Sequence, residues 1–138
     1  MPTLSRLRRC LLTATTSPGA MRRWRWLLVA LAITISWLAL SPNPPEGLDT
    51  GWDKLNHAGA FAALTVVATF ALPRSRWNFW CLLGGLLCFG GAIEIAQSFT
   101  PARSADWADL LADAVGMAAG VFAAMVFTRM VSRETQLR

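Results

Sequence analysis

The residues able to do chemistry in this chain gather at a few places. His57, the only histidine, stands four residues after Asp53, with Lys54 between them. Glu94 and Gln97 are three apart, while Asp106, Asp109 and Asp113 follow an i, i+3, i+7 pattern behind Arg103. On helices, each of these spacings gathers its members on one face. Histidine with carboxylates suits a divalent ion. An arginine beside hydrogen-bonding side chains suits a polar head group, its guanidinium taking a phosphate or carboxylate. No HExxH or comparable motif is present, so no metal and no cofactor is expected. Ser98, Thr100 and Ser104 lack any surrounding nucleophile motif. An acid–base pair of Glu94 and Asp109 would need an environment that pushes their pKa values apart. The reading is not that of an enzyme.

The composition names the elements that must hold these groups. The chain has 138 residues, 54% hydrophobic and only 15% charged, with a mean hydropathy of +0.42. A soluble domain carries about a quarter of charged residues, so a single membrane domain is expected. Three cysteines leave one unpaired and argue against a disulfide scaffold. Apolar stretches cover about 24–41, 57–73, 77–98 and 107–129. Each approaches the roughly 17–25 residues needed to cross a hydrocarbon core of about 30 Å. Such spans must be helical, and no barrel-strand alternation occurs. The predicted fold is all-α: a four-helix transmembrane bundle over 21–131, with a loose basic lead at 1–20 and a tail at 132–138.

Charge sets the expected orientation. Arg6, Arg8, Arg9, Arg22, Arg23 and Arg25 precede the first span, Arg74 and Arg76 separate the second from the third, and Arg129, Arg133 and Arg138 follow the fourth. Only Lys54 and Arg103 fall on the other side, which places both termini in the cytoplasm of a multi-pass inner-membrane protein. The net charge of +5 is thus a topology signal, and no nucleic-acid partner is expected. Trp24, Trp26, Trp77 and Trp80 mark one interface, and Trp37, Trp52 and Trp107 the other. Pro42 sits badly after a signal-peptidase cut, so the first span is read as retained. The segment 41–51 is Pro/Gly-rich loop.

Small residues suggest the packing. Ala112, Gly116, Gly120 and Ala124 recur every four residues on the fourth span. That stripe admits another backbone, either within the chain or from a second copy in a homo-oligomer. Gly84, Gly85, Gly90 and Gly91 are read as doing similar work on the third span. Cys81 and Cys88 are read as small core hydrophobes.

Ionisable groups inside spans are rare and face protein or a wet cavity. Seven of the eight acidic side chains lie on the side away from the arginines: Glu46, Asp49, Asp53, Glu94, Asp106, Asp109 and Asp113. Gly90, one turn below Glu94, would let a neighbouring helix close over that carboxylate. The starts of spans two and four and the end of span three therefore predict one polar pocket at the outer interface. Four uses of it are open. One is binding of a lipid-linked or glycopeptide-related envelope component. Another is metal-assisted chemistry through His57 with Asp53, Glu94 or Asp106. Ion-coupled transport through Glu94 is disfavoured by four short spans without an inverted repeat. The fourth is a purely structural network of salt bridges and helix caps.

The run Asp53-Lys54-Leu55-Asn56-His57, then Glu94-Ile95-Ala96-Gln97, then Arg103-Ser104-Ala105-Asp106-Trp107-Ala108-Asp109, ending at Gly116 and Gly120, resembles the VanZ-like family. The resemblance spans about residues 52–122, with motif order and spacing intact. Asp113 departs from it, standing where an asparagine is more usual. The resemblance implies a small multi-span envelope protein, and its founding member is associated with teicoplanin resistance. The expectation is thus an outward site of Asp53, Lys54, His57, Glu94, Gln97, Arg103, Asp106, Asp109 and Asp113. Its expected partners are membrane lipids and a lipid-linked envelope precursor.

Overall fold

The computed structural model describes residues 17–42, 52–100 and 105–132. Glu46, Asp49, Arg103 and Ser104 lie outside the described residues, as do 1–16 and 133–138. Within them stand four helices and no strand: α1 (Pro18–Leu40), α2 (Asp53–Ala71), α3 (Arg76–Gln97) and α4 (Trp107–Ser132). Three of them, α1, α3 and α4, are long and apolar enough to cross a membrane. α2 is not among these three. It is 19 residues long, opens with Asp53, Lys54, Asn56 and His57, and is the most enclosed of the four.

Local chemistry explains the helix starts. α1 begins three residues earlier than the basic lead 1–20 allows, because Ser17 and Pro18 form a start signal. The Ser17 hydroxyl accepts the Ala20 N–H at 3.2 Å, and proline at the first helical position needs no N–H partner. Ser75 repeats the device on α3, accepting from Asn78 N at 3.0 Å. On α4 the carboxylate of Asp106 accepts from Ala108 N at 2.9 Å.

α2 is the hub, touching all three other helices and packing most extensively on α4. Phe61, Leu64, Thr65, Val67, Ala68, Phe70 and Ala71 of α2 are buried, as are Met117 and Ala124 of α4. Two glycines set the contact between these helices. A Cβ on Gly116 would strike the Ala58 carbonyl, and one on Gly120 would lie 2.6 Å from the Ala62 carbonyl oxygen. The small-residue stripe of α4 is thus filled by the chain's own α2, whose Ala58 and Ala62 share its four-residue spacing. Gly84, Gly85 and Gly91 have nothing within 4 Å of a would-be Cβ. On α3 only Gly90 does the work read into all four.

Cys81 and Cys88 correct the sequence reading: both are exposed. Only one face of α3 meets the bundle, and a lipid-facing surface is as apolar as a core. Trp26, Trp37, Trp52, Trp77, Trp80 and Trp107 are exposed too, as amphipathic rings at two interfaces would be. Both cysteines are expected to react with a lipid-soluble maleimide in the folded, bilayer-embedded protein. Their replacement by alanine should shift stability by no more than about 0.5 kcal/mol. Labelling that required unfolding would contradict this exposure.

Candidate functional site

The glycine contacts also build the polar end. Gly116 seats α4 against Ala58, so Asp113, one turn before it, meets His57, the residue before Ala58. Gly90 admits α3 on the other side, where its Cα faces the Asp113 carboxylate, Phe61 and Leu110. The carboxylate this glycine accommodates is Asp113; the sequence had suggested Glu94.

His57 Nδ1 lies 2.9 Å from Asp113 Oδ1. With Asp113 ionised its carboxylate can only accept, and Nδ1 then carries the hydrogen and donates it. The other ring nitrogen, Nε2, stands 3.9 Å from Glu94 Oε1, too far for a hydrogen bond. Glu94 Oε2 accepts the Asp106 backbone N–H at 2.9 Å, tying the end of α3 to the start of α4. Lys54 Nζ bridges Asp106 Oδ2 at 2.8 Å and Asp109 Oδ1 at 3.3 Å. Asp53, His57 and Asp109 bring one ligand atom each to within 4.8 Å of one another.

Burial makes this arrangement unusual. Glu94 and Asp109 are 2% exposed and Asp113 is fully buried. Glu94 Oε1 and Asp113 Oδ2 have no hydrogen-bond partner. Among the described residues, five acids (Asp53, Glu94, Asp106, Asp109, Asp113) face two bases (Lys54, His57). Buried carboxylates in such excess need protons or further cations. Asp106, at the exposed edge, is the ordinary member. The Lys54 ammonium, and then the Ala108 N–H, hold its carboxyl below the usual aspartate range. A carboxyl depressed on folding stabilises the fold above its unfolded pKa of about 3.9, and that contribution is lost as pH falls through the lowered value.

Of the residues expected at the site, Asp53, Lys54, His57, Glu94, Asp106, Asp109 and Asp113 converge. Arg103 lies outside the described residues. Gln97 is buried but donates from Nε2 to the Ala39 carbonyl at 3.1 Å, so it joins α3 to α1. The hydroxyls of Ser98 and Thr100 are taken by the Ile95 and Ala96 carbonyls at 2.6 and 3.0 Å. The sequence reading missed a cavity of about 300 Å³ at the arginine end, lined by Arg74, Arg76, Asn78, Phe79 and Leu82 among others. Its only signal was the pair of arginines around Ser75.

An all-α membrane protein whose helix ends bury a carboxylate–histidine cluster is the class these features define. The chain belongs to the VanZ/LLP1 family, whose sequence profile matches residues 21–128. No curated protein and no solved structure matches it.

Proposed function

We propose that this protein is a multi-pass plasma-membrane protein that presents its acidic end outward and binds there the polar head of a lipid-linked cell-envelope component. One observation carries the reading: α3 and α4 deliver buried carboxylates to the end where α2 places His57, and leave Glu94 Oε1 and Asp113 Oδ2 without partners. Buried oxygens without partners are few in folded proteins, and Gln97 Oε1 on the same helix face as Glu94 is a third. The position of the arginines supports the orientation. A part in glycopeptide tolerance belongs to the same reading, since a protein that holds an envelope precursor competes with any drug that binds it. No reaction is assigned.

The second reading is a structural tether, and the Lys54 bridge to Asp106 and Asp109 favours it. Native mass spectrometry of the mildly solubilised protein separates the two. The wild type should carry a co-purified lipid that Glu94→Gln loses while staying folded, since glutamine keeps an oxygen for the Asp106 N–H. Bare wild-type protein, with Glu94→Gln melting at lower temperature, would instead sink the binding reading and leave the tether. For orientation, Ala105→Cys should react with an impermeant maleimide added from outside the cell.

A further inference from the structure

We propose that Asp53, His57 and Asp109, with Glu94 completing the set from α3, bind one divalent transition-metal ion. The sequence offers no metal motif beyond the one-turn spacing of Asp53 and His57; the fold brings Asp109 to them. Asp53 and His57 lie one turn apart on α2, while Asp109 sits on the first turn of α4 and is brought over them by the Gly116 contact. The ligand atoms of these three fall within 4.8 Å of one another, and Glu94 reaches the group through His57. Asp53 is exposed and can rotate.

The second observation comes from the buried neighbours. Because Nδ1 donates to Asp113, a neutral His57 turns the lone pair of Nε2 toward Glu94 Oε1, which is itself buried and without a hydrogen-bond partner. Two acceptors then face each other 3.9 Å apart. Donors on one tetrahedral ion with bonds of about 2.0–2.2 Å stand roughly 3.3–3.5 Å apart, so the two need to close by only about half an ångström to share it. The His57–Asp113 pair is also the arrangement that fixes a metal-binding imidazole: a carboxylate holds one ring nitrogen so that the other points at the ion. A positive ion would offset the excess of buried carboxylates, of which Lys54 reaches Asp109 but neither Glu94 nor Asp113. The imidazole favours zinc, iron, copper or nickel, and the carboxylates admit manganese as well. The ion's use, to bridge the acidic cluster to a phosphate-bearing head group, rests on the reading proposed above. Its existence does not.

The test uses the full chain in mild detergent, stripped with EDTA, desalted and titrated with Zn²⁺ and separately with Mn²⁺, without added lipid. About one ion per chain is expected, with affinity weakened at least about tenfold in Asp53→Asn and lost in His57→Gln. Helical content by circular dichroism should be retained in Asp53→Asn. Should His57→Gln fail to fold, pulsed electron paramagnetic resonance of the wild type with Mn²⁺ decides, since a bound imidazole couples its nitrogen to the ion. Folded wild type that takes up no ion, equal uptake by Asp53→Asn, or bound Mn²⁺ without nitrogen coupling would each overturn the site. Metal uptake by a protein that carries no lipid would keep the centre and sink the envelope-ligand reading. Lipid retained after EDTA, with no metal taken up, would sink the centre alone.

Discussion

Gly116→Ala is expected to destabilise the bundle more than a methyl added at any other described glycine outside the site. The new Cβ would strike the Ala58 carbonyl, which is backbone and cannot rotate away. The helices must separate, and overpacking of this kind typically costs about 1–3 kcal/mol. Separation also draws Asp113 from His57, so the polar cluster loosens with the packing. Gly85→Ala is the matched control. It adds the same methyl to a stretch of helix with nothing within 4 Å and should be neutral, or stabilising by up to about 1 kcal/mol through helix propensity. Reversible unfolding in mixed micelles reads both. Equal stabilities for the two variants would mean that α2 and α4 do not meet at Gly116.

Asp113→Ala should be the more damaging change within the polar cluster. Asp113 is fully buried, and its removal leaves the His57 N–H without its acceptor. Leaving a buried donor without its acceptor costs about 1–3 kcal/mol. Asp113→Asn separates shape from charge. The amide oxygen still accepts from Nδ1, so most of the stability should return, within about 1 kcal/mol of wild type. If His57 is a metal ligand held by Asp113, Asp113→Asn should still weaken cation affinity by about 10–100-fold, because the supporting carboxylate is gone. Thermal melting and Zn²⁺ titration of the two variants give independent readouts. Unchanged stability of Asp113→Ala would remove Asp113 from the cluster, and unchanged zinc affinity of Asp113→Asn would remove it from the metal's support.

Much of this architecture is legible in the sequence because two rules act on the chain locally. Hydrocarbon demands long apolar helices, and the stretches at 77–98 and 107–129 lie within three residues of the observed limits, while 24–41 gives the end of α1 but not its start. A period of 3.6 residues fixes which side chains share a face, so spacing alone groups Asp53 with His57, and Asp109 with Asp113. The start of α1 was legible as well in Ser17 and Pro18, although the basic surroundings hid it.

Other features depend on how the helices turn toward one another, and periodicity says nothing about that angle. Cys81 and Cys88 look like core residues in the sequence because lipid and core both select apolar side chains; the packed bundle turns them outward. Gln97 shares a face with Glu94 yet serves α1, because α3 passes between two neighbours. The partner of His57 was the least legible. The sequence put Asp113 on the acidic stripe and marked it as a departure from the usual asparagine, but did not pair it with His57; the closed bundle does so and makes it the deepest polar residue of the cluster. Backbone contact decided this: Gly116 against Ala58 and Gly90 against Asp113 bring three helices closer than side chains elsewhere allow. Residue spacing determined which groups could meet at the acidic end, and the glycine contacts, set by helices too distant in the chain for any local rule, determined which of them do.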